Sequence, residues 1–276
     1  MSQYSFPQFG LIESGHVLDP RVRDVAQGIR STCRQSKRVP FDPFECAEYF
    51  GVTVHAATLP PGVSGRVVFD GEAPRIEFRP TDSERRIRFT VCHELGHLCF
   101  LERKPAYPKE RNIRFTVSTI QAREEKLCNR IATELLMPRA LFLRRLAGLT
   151  PCAESLTVLA GIFDVSTMAV ARRICELAAW SVGVAELFVS ESGVKHRWWR
   201  IAVKSSIRPK VDRQRIDQEI GRALSWVERV TDRRASHGTY WQATGPWERE
   251  VGQLAVRVWP YRRAQNIGFL AVVLYH

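Results

Sequence analysis

The sequence predicts an α+β protein: a mainly helical first part around a small β-hairpin or sheet, a helix-turn-helix segment, and a C-terminal α+β domain. Three observations predict it. Before residue 180, apolar residues recur at helical spacing in run after run. Within that helical part, SGRVVFDGEAPRIEFRP holds two β-rich runs about a turn containing Gly and Pro. Beyond Trp180 the pattern becomes strand-like, and six of the seven tryptophans follow that residue. The divisions expected from these shifts are 1–150, 151–180 and 181–276.

Taken in order, Asp19-Pro20 opens a helix running to about Cys33, and Asp42-Pro43 caps another through FECAEYF. An acceptor side chain followed by proline is a common helix start, because the first N–H groups have no partner inside the helix. The hairpin follows, its outgoing strand leading into the apolar helical segment FTVCHELGHLCF, residues 89–100. A polar, proline-containing stretch, ERKPAYPKERN, connects to QAREEKLCNRIATELLMP, residues 121–138. There Leu127, Cys128, Ile131, Ala132, Leu135 and Leu136 form a buried stripe, and Pro138 stops the helix. RALFLRRLAGL gives one more helix. Residues 155–180 read as two helices about the turn FDVS, with Ser166 as N-cap of the second. The last part has the outline β-β-α-β-β, its helix carrying Ile216, Ile220, Leu224 and Val227 at helical spacing.

Composition narrows the class. At 276 residues and 45% hydrophobic content the chain can bury a sizeable core. No run approaches the eighteen or so apolar residues that span a bilayer, and MSQYSFPQFGLIESGH lacks a basic-then-apolar leader, so a cytoplasmic protein is expected. Seven cysteines, an odd number with no C-x-x-C pair, argue against a disulfide framework and for small core residues. The formal charge of +12 raises nucleic acid as a partner. Between Lys195 and Arg215, eight Lys/Arg face one Asp among interleaved tryptophans, a pattern that suits base stacking or, as readily, a solvated strand face. In the helix-turn-helix segment, Thr167, Arg172 and Arg173 are the side chains that would meet a DNA groove. The same letters also describe ordinary packed helices. His237 and His276 are isolated histidines with no partner motif.

The chemistry concentrates in the first of the long helices. His93 and His97 lie four residues apart and project from one helical face, and Glu94 stands beside that face. Ionisable groups among Phe89, Val91, Cys92, Leu95, Leu98, Cys99 and Phe100 need partners or a ligand. Neutral imidazoles suit zinc, which lowers the pKa of bound water from about 16 to roughly 7 and leaves a neighbouring carboxylate to take the proton. H-E-x-x-H on a helix is the spacing of zinc peptidases. Satisfied core histidines are the bland alternative. A third ligand would come from the next helix, where Glu125, Asn129 and Ala132 line one edge of the apolar face and Glu124 competes with Glu125. Spacing alone leaves the two glutamates open. Gly96 would let the two helices approach closely.

RFTVCHELGH followed by EEKLCNRIATELLMP resembles the ImmA/IrrE family of metallo-endopeptidases over roughly residues 20–180. The resemblance implies a zincin-like, gluzincin-type protease fold with His93, His97 and Glu125 as metal ligands and Glu94 as the catalytic base. It implies Zn2+, with Mn2+ allowed, and a protein substrate: a helix-turn-helix transcriptional repressor cut in a stress or mobile-element response. Cys92 and Cys128 stand where small alanine is common in the family, and Ile131 where phenylalanine is common; all three keep the apolar character. The hairpin edge beside the metal helix would accept an extended substrate as an added strand, or is a plain structural hairpin. From another class, the alternative is a DNA-binding transcriptional regulator whose metal site is structural or vestigial. The C-terminal part has no catalytic constellation and is expected to sense an effector or hold the substrate.

Overall fold

A computed structural model describes residues 20–69, 74–100, 119–150, 153–177, 179–180, 182–190, 193–202, 222, 247–251, 254–263 and 266–275. Its described elements are mixed α+β. In order they are α1 (Pro20–Thr32), α2 (Pro43–Tyr49), β1 (Thr53–Ala56), β2 (Gly65–Phe69), β3 (Pro74–Phe78), α3 (Glu84–Leu98), α4 (Thr119–Leu136) and α5 (Arg139–Leu146). Then come α6 (Ala153–Phe163), α7 (Thr167–Leu177), β4 (Val182–Ser190), β5 (Gly193–Ala202), β6 (Trp247–Val251), β7 (Leu254–Arg263) and β8 (Asn266–Tyr275). The chain divides into two compact units, Met1–Arg145 with Gly161–Val165, and Leu146–Ala160 with Ser166–His276.

In the first unit, local chemistry starts the helices as the sequence leads one to expect. Asp42 accepts hydrogen bonds from the N–H groups of Phe44 and Glu45, capping α2, and Ser83 accepts from Arg86 N–H at the start of α3. Helix α4 lies against both α1 and α3. Val22, Ala26 and Ile29 form the buried stripe of α1, and Cys128, Ile131, Ala132 and Leu135 are buried on α4. The end of α4 is fixed by Arg30, a buried residue whose Nη1 donates to Leu135 O while its guanidinium lies 4.8 Å from the centre of the Phe41 ring. Helix α3 buries Val91, Cys92, Leu95 and Leu98, each worth about 1.5–3 kcal/mol for the larger side chains when removed from water.

The hairpin forms, with β2 and β3 antiparallel and Gly65 opposite Phe78. The sheet has a third strand that the sequence pattern hides. β1 pairs parallel with β3 from Thr53↔Arg75 to Ala56↔Phe78, giving the order β1-β3-β2. The strand that leads into α3 is therefore central, and the sheet edge beside α3 is β2, a correction to the hairpin picture.

In the second unit, β4 to β8 make one sheet of order β5-β4-β8-β7-β6, with antiparallel pairing throughout. The strand pattern read from the sequence corresponds to four of these, and β6 is additional. Of the helix expected over 212–230, only Arg222 is among the described residues, and the connection 102–112, Cys152, His237 and His276 lie outside them. Helix α7 packs on β4 and β5. No single described helix is long and apolar enough to cross a membrane.

Candidate metal centre

The first requirement of the site is that α3 and α4 come close. A methyl group built on Gly96 would stand 3.1 Å from Cys128 Cα and 3.2 Å from its Cβ, tighter than ordinary contact, so only glycine lets the two backbones approach this far. Cys128 is itself fully buried, and burial raises its thiol pKa to about 11, so it packs as a small apolar group.

That approach brings three side chains together. His93 Nε2 and His97 Nε2 are 3.1 Å apart; Glu125 Oε2 lies 3.1 Å from the first and Oε1 3.2 Å from the second. Glu124, the competing acid, does not join this triangle. Its Oε1 is 2.9 Å from Nδ1 of His97, on the opposite side of the ring. Asn129 occupies the equivalent place on the other ring, its Oδ1 3.1 Å from His93 Nδ1. These two outer contacts are absent from the reading of the sequence, although the four-residue spacing of Glu125 and Asn129 puts both on the face toward α3.

Charge couples the members of the cluster. Burial opposes ionisation of Glu125, yet hydrogen bonds from His93 and His97 outweigh it and hold the carboxyl at about 2. Burial likewise works against a charged His97, but its contacts with Cys128, Glu124 and Glu125 prevail and push its pKa up. His97 and Glu125 thus favour each other's charged forms. Two imidazole nitrogens and a carboxylate are a donor set for a divalent cation, and ligand atoms around tetrahedral zinc are about 3.3 Å apart when each bond is near 2.05 Å. The spacings seen here, 3.1–3.2 Å, fit that requirement.

Glu94 is not one of the three grouped donors, but its charge is felt by His97, His93 and Glu125. It is 7% exposed, and a methyl group on Gly65 of β2 would lie 3.3 Å from its Oε1 and 2.3 Å from the Thr90 methyl. The missing side chain at Gly65 therefore makes the space that the Thr90 methyl occupies, with the Glu94 carboxyl beside it at the sheet edge. Burial raises the pKa of Glu94 above the ordinary carboxylate value, against the pull of His97 and His93.

A model of the IrrE N-terminal-like domain, a peptidase family, matches residues 47–175, from within α2 to within α7. This stretch is an IrrE N-terminal-like domain. The IrrE-like domain takes in all of β1 to α6, including His93, Glu94, His97 and Glu125, and agrees with the ImmA/IrrE resemblance of the two motifs. Over the longer chain, a solved structure of a Mycobacterium tuberculosis transcriptional regulator is similar, with a TM-score of 0.51 and 11% identity across 93% of this chain and 76% of that one. At that identity the likeness concerns fold alone. Among curated proteins none matches the chain.

Beyond the IrrE-like site, the other candidate residues separate. Helices α6 and α7 meet at 101°, and Ser166 Oγ accepts from Ala169 N–H as the expected N-cap. Thr167 is half-buried and Arg172 exposed, but Arg173 is 1% exposed, with Nη1 2.9 Å from Glu176 Oε2. This corrects the DNA-facing role considered for Arg173. Buried Val170, Ala171, Arg173, Ile174, Cys175 and Leu177 take more than half of the circumference of α7, which packs on β4 and β5.

Proposed function

We propose that the chain is a metal-dependent endopeptidase that cuts one specific protein, a helix-turn-helix transcriptional repressor, and so regulates a stress or mobile-element response. The observation that carries this reading is the convergence of His93 Nε2, His97 Nε2 and the Glu125 carboxylate from two helices, next to buried Glu94, within a peptidase-family domain. His93, His97 and Glu125 would hold the ion. Zinc suits this mixed nitrogen and oxygen set, with manganese the other ion that the family resemblance allows.

Such a cation, when bound, acts as a Lewis acid that acidifies water and polarises the scissile carbonyl. Glu94 supplies the proton traffic. Its buried carboxyl has a raised proton affinity, so it takes a proton from the attacking water at a carboxylate oxygen and later delivers it to the departing amine. Strand β2 offers an extended peptide a sheet edge to join, next to the same carboxyl. In this reading residues 1–150 form the zincin-like peptidase domain, 151–180 a helix-turn-helix-like segment, and 181–276 a sensing or substrate-binding domain. The enzyme works in the cytoplasm, where thiols such as the six buried cysteines that form no disulfide among the described residues stay reduced.

The test is Glu94→Gln, which keeps the size of the side chain. Co-incubated with candidate repressors and followed by fragment mass, the variant should cleave about 10²–10⁴-fold more slowly than wild type while taking up zinc normally. Chelator should abolish wild-type cleavage. A Glu94→Gln protein that cuts at the wild-type rate ends the proposal.

A further inference from the structure

Each imidazole of the site has two nitrogens, and the outer ones are answered differently. His93 Nδ1 meets the neutral amide oxygen of Asn129 at 3.1 Å, whereas His97 Nδ1 meets a carboxylate oxygen of Glu124 at 2.9 Å. Glu124 is also the more buried of the two neighbouring acids, its side chain 13% exposed against 30% for Glu125. Withdrawing a carboxylate from water is unfavourable unless partners compensate, and a ring nitrogen of a candidate ligand is one of them.

We propose that Glu124 is a positioning residue for His97: by accepting the Nδ1–H it leaves the Nε2 lone pair facing Glu125, and its charge makes that nitrogen a stronger donor than its counterpart on His93. The hydrogen bond fixes which nitrogen carries the proton and how the ring is turned, the usual task of an outer partner of a metal-binding histidine. The charge adds a second effect. Glu124 and Glu125 together carry two negative charges, which balance a divalent cation without help from Glu94. Glu94 is thereby left to exchange protons instead of neutralising the ion. Because Glu124 and Glu125 are adjacent on α4, about 100° apart, one grips the front of His97 and the other its back.

This inference rests on the ligand assignment proposed above, and the experiment separates the two. Zinc affinity is measured by competition with a chromophoric chelator for wild type, Glu124→Ala, Glu124→Gln and Glu125→Gln, with the His97 Nδ1–H proton followed by NMR in the zinc-loaded proteins. Glu124→Ala should bind zinc 10–100-fold more weakly and lose the slowly exchanging Nδ1–H signal. Glu124→Gln, which keeps an acceptor but not the charge, should keep the signal and recover part of the affinity. Equal affinity in wild type and Glu124→Ala, or Ala and Gln variants that behave alike, overturns the role of Glu124. A Glu125→Gln protein that binds like wild type, or a wild type that takes up no zinc, removes the ligand assignment and this inference with it.

Discussion

Two helix pairs in this chain withdraw charged side chains from water, and they do so to different ends. In α3 and α4 the polar atoms come from separate helices and converge on one point, where His93, His97 and Glu125 stand 3.1–3.2 Å apart. In α6 and α7 the buried cation, Arg173, finds its carboxylate three residues along its own helix, at Glu176. The first arrangement sets two imidazoles against the carboxylates of Glu124 and Glu125, while the second matches a cation with a carboxylate at 2.9 Å. Burial of charge by itself is thus a poor marker of function. Convergence of potential ligand atoms from independent elements is a better one.

The largest expected effect breaks this comparison if it fails. Zinc at about 1,000 times its dissociation constant should stabilise the protein by about 4 kcal/mol, read as a rise in the midpoint of thermal unfolding. His97→Ala should abolish that rise, since it removes one of the three convergent donors. A wild-type midpoint that ignores zinc would make the two helix pairs equivalent.

Next in size is Arg173→Ala. It deletes a guanidinium that is 1% exposed and leaves Glu176 without this partner, but Glu176 is 22% exposed and regains some hydration. The cost should be about 2–4 kcal/mol in denaturant unfolding, overlapping the lower part of the range for a fully buried broken pair. Zinc affinity should not change. Gly96→Ala sharpens the contrast from the other side. Its methyl meets the Cys128 backbone at 3.1 Å, where nothing flexible can yield, so α3 and α4 must separate at a cost of about 1–3 kcal/mol. Because α4 carries Glu125, this smaller loss of stability should come with weaker zinc binding, as titration would show.

How much of this was legible follows from which distances the chain fixes locally. Helical period alone aligns His93 with His97, and Asp42 ahead of Pro43 announces its cap, so both were readable. The choice between Glu124 and Glu125 was not, because neighbours 100° apart on α4 are sorted only by the helix's rotation against α3, which the contact of Gly96 with Cys128 governs. Strand β1 escaped notice for another reason. It is four residues long, mostly exposed, and pairs in parallel with a strand some twenty residues on, so it leaves no alternating pattern. The burial of Arg173 is not legible because an arginine in an amphipathic helix is ordinarily outside, and its inward course goes with Glu176. The family resemblance points to Glu125, the acid that the structure groups with His93 and His97, but it offers no help with Arg173 or with the sheet of the second unit.

The smallest expected effect decides the remaining question about α7. Substituting Arg172 and Arg173 together would confuse loss of fold with loss of DNA contact, since Arg173 is a core residue. Arg172→Ala alone is the cleaner probe. Arg172 is exposed, so its removal should shift stability by less than about 0.5 kcal/mol. If α7 met DNA, the same change would lower affinity for duplex and reduce the dependence of binding on salt by about one phosphate contact. With α7 packed on β4 and β5, the expected outcome is no change in either. A clear loss of salt-dependent binding in Arg172→Ala would return the α6 and α7 pair to the functional side of the comparison.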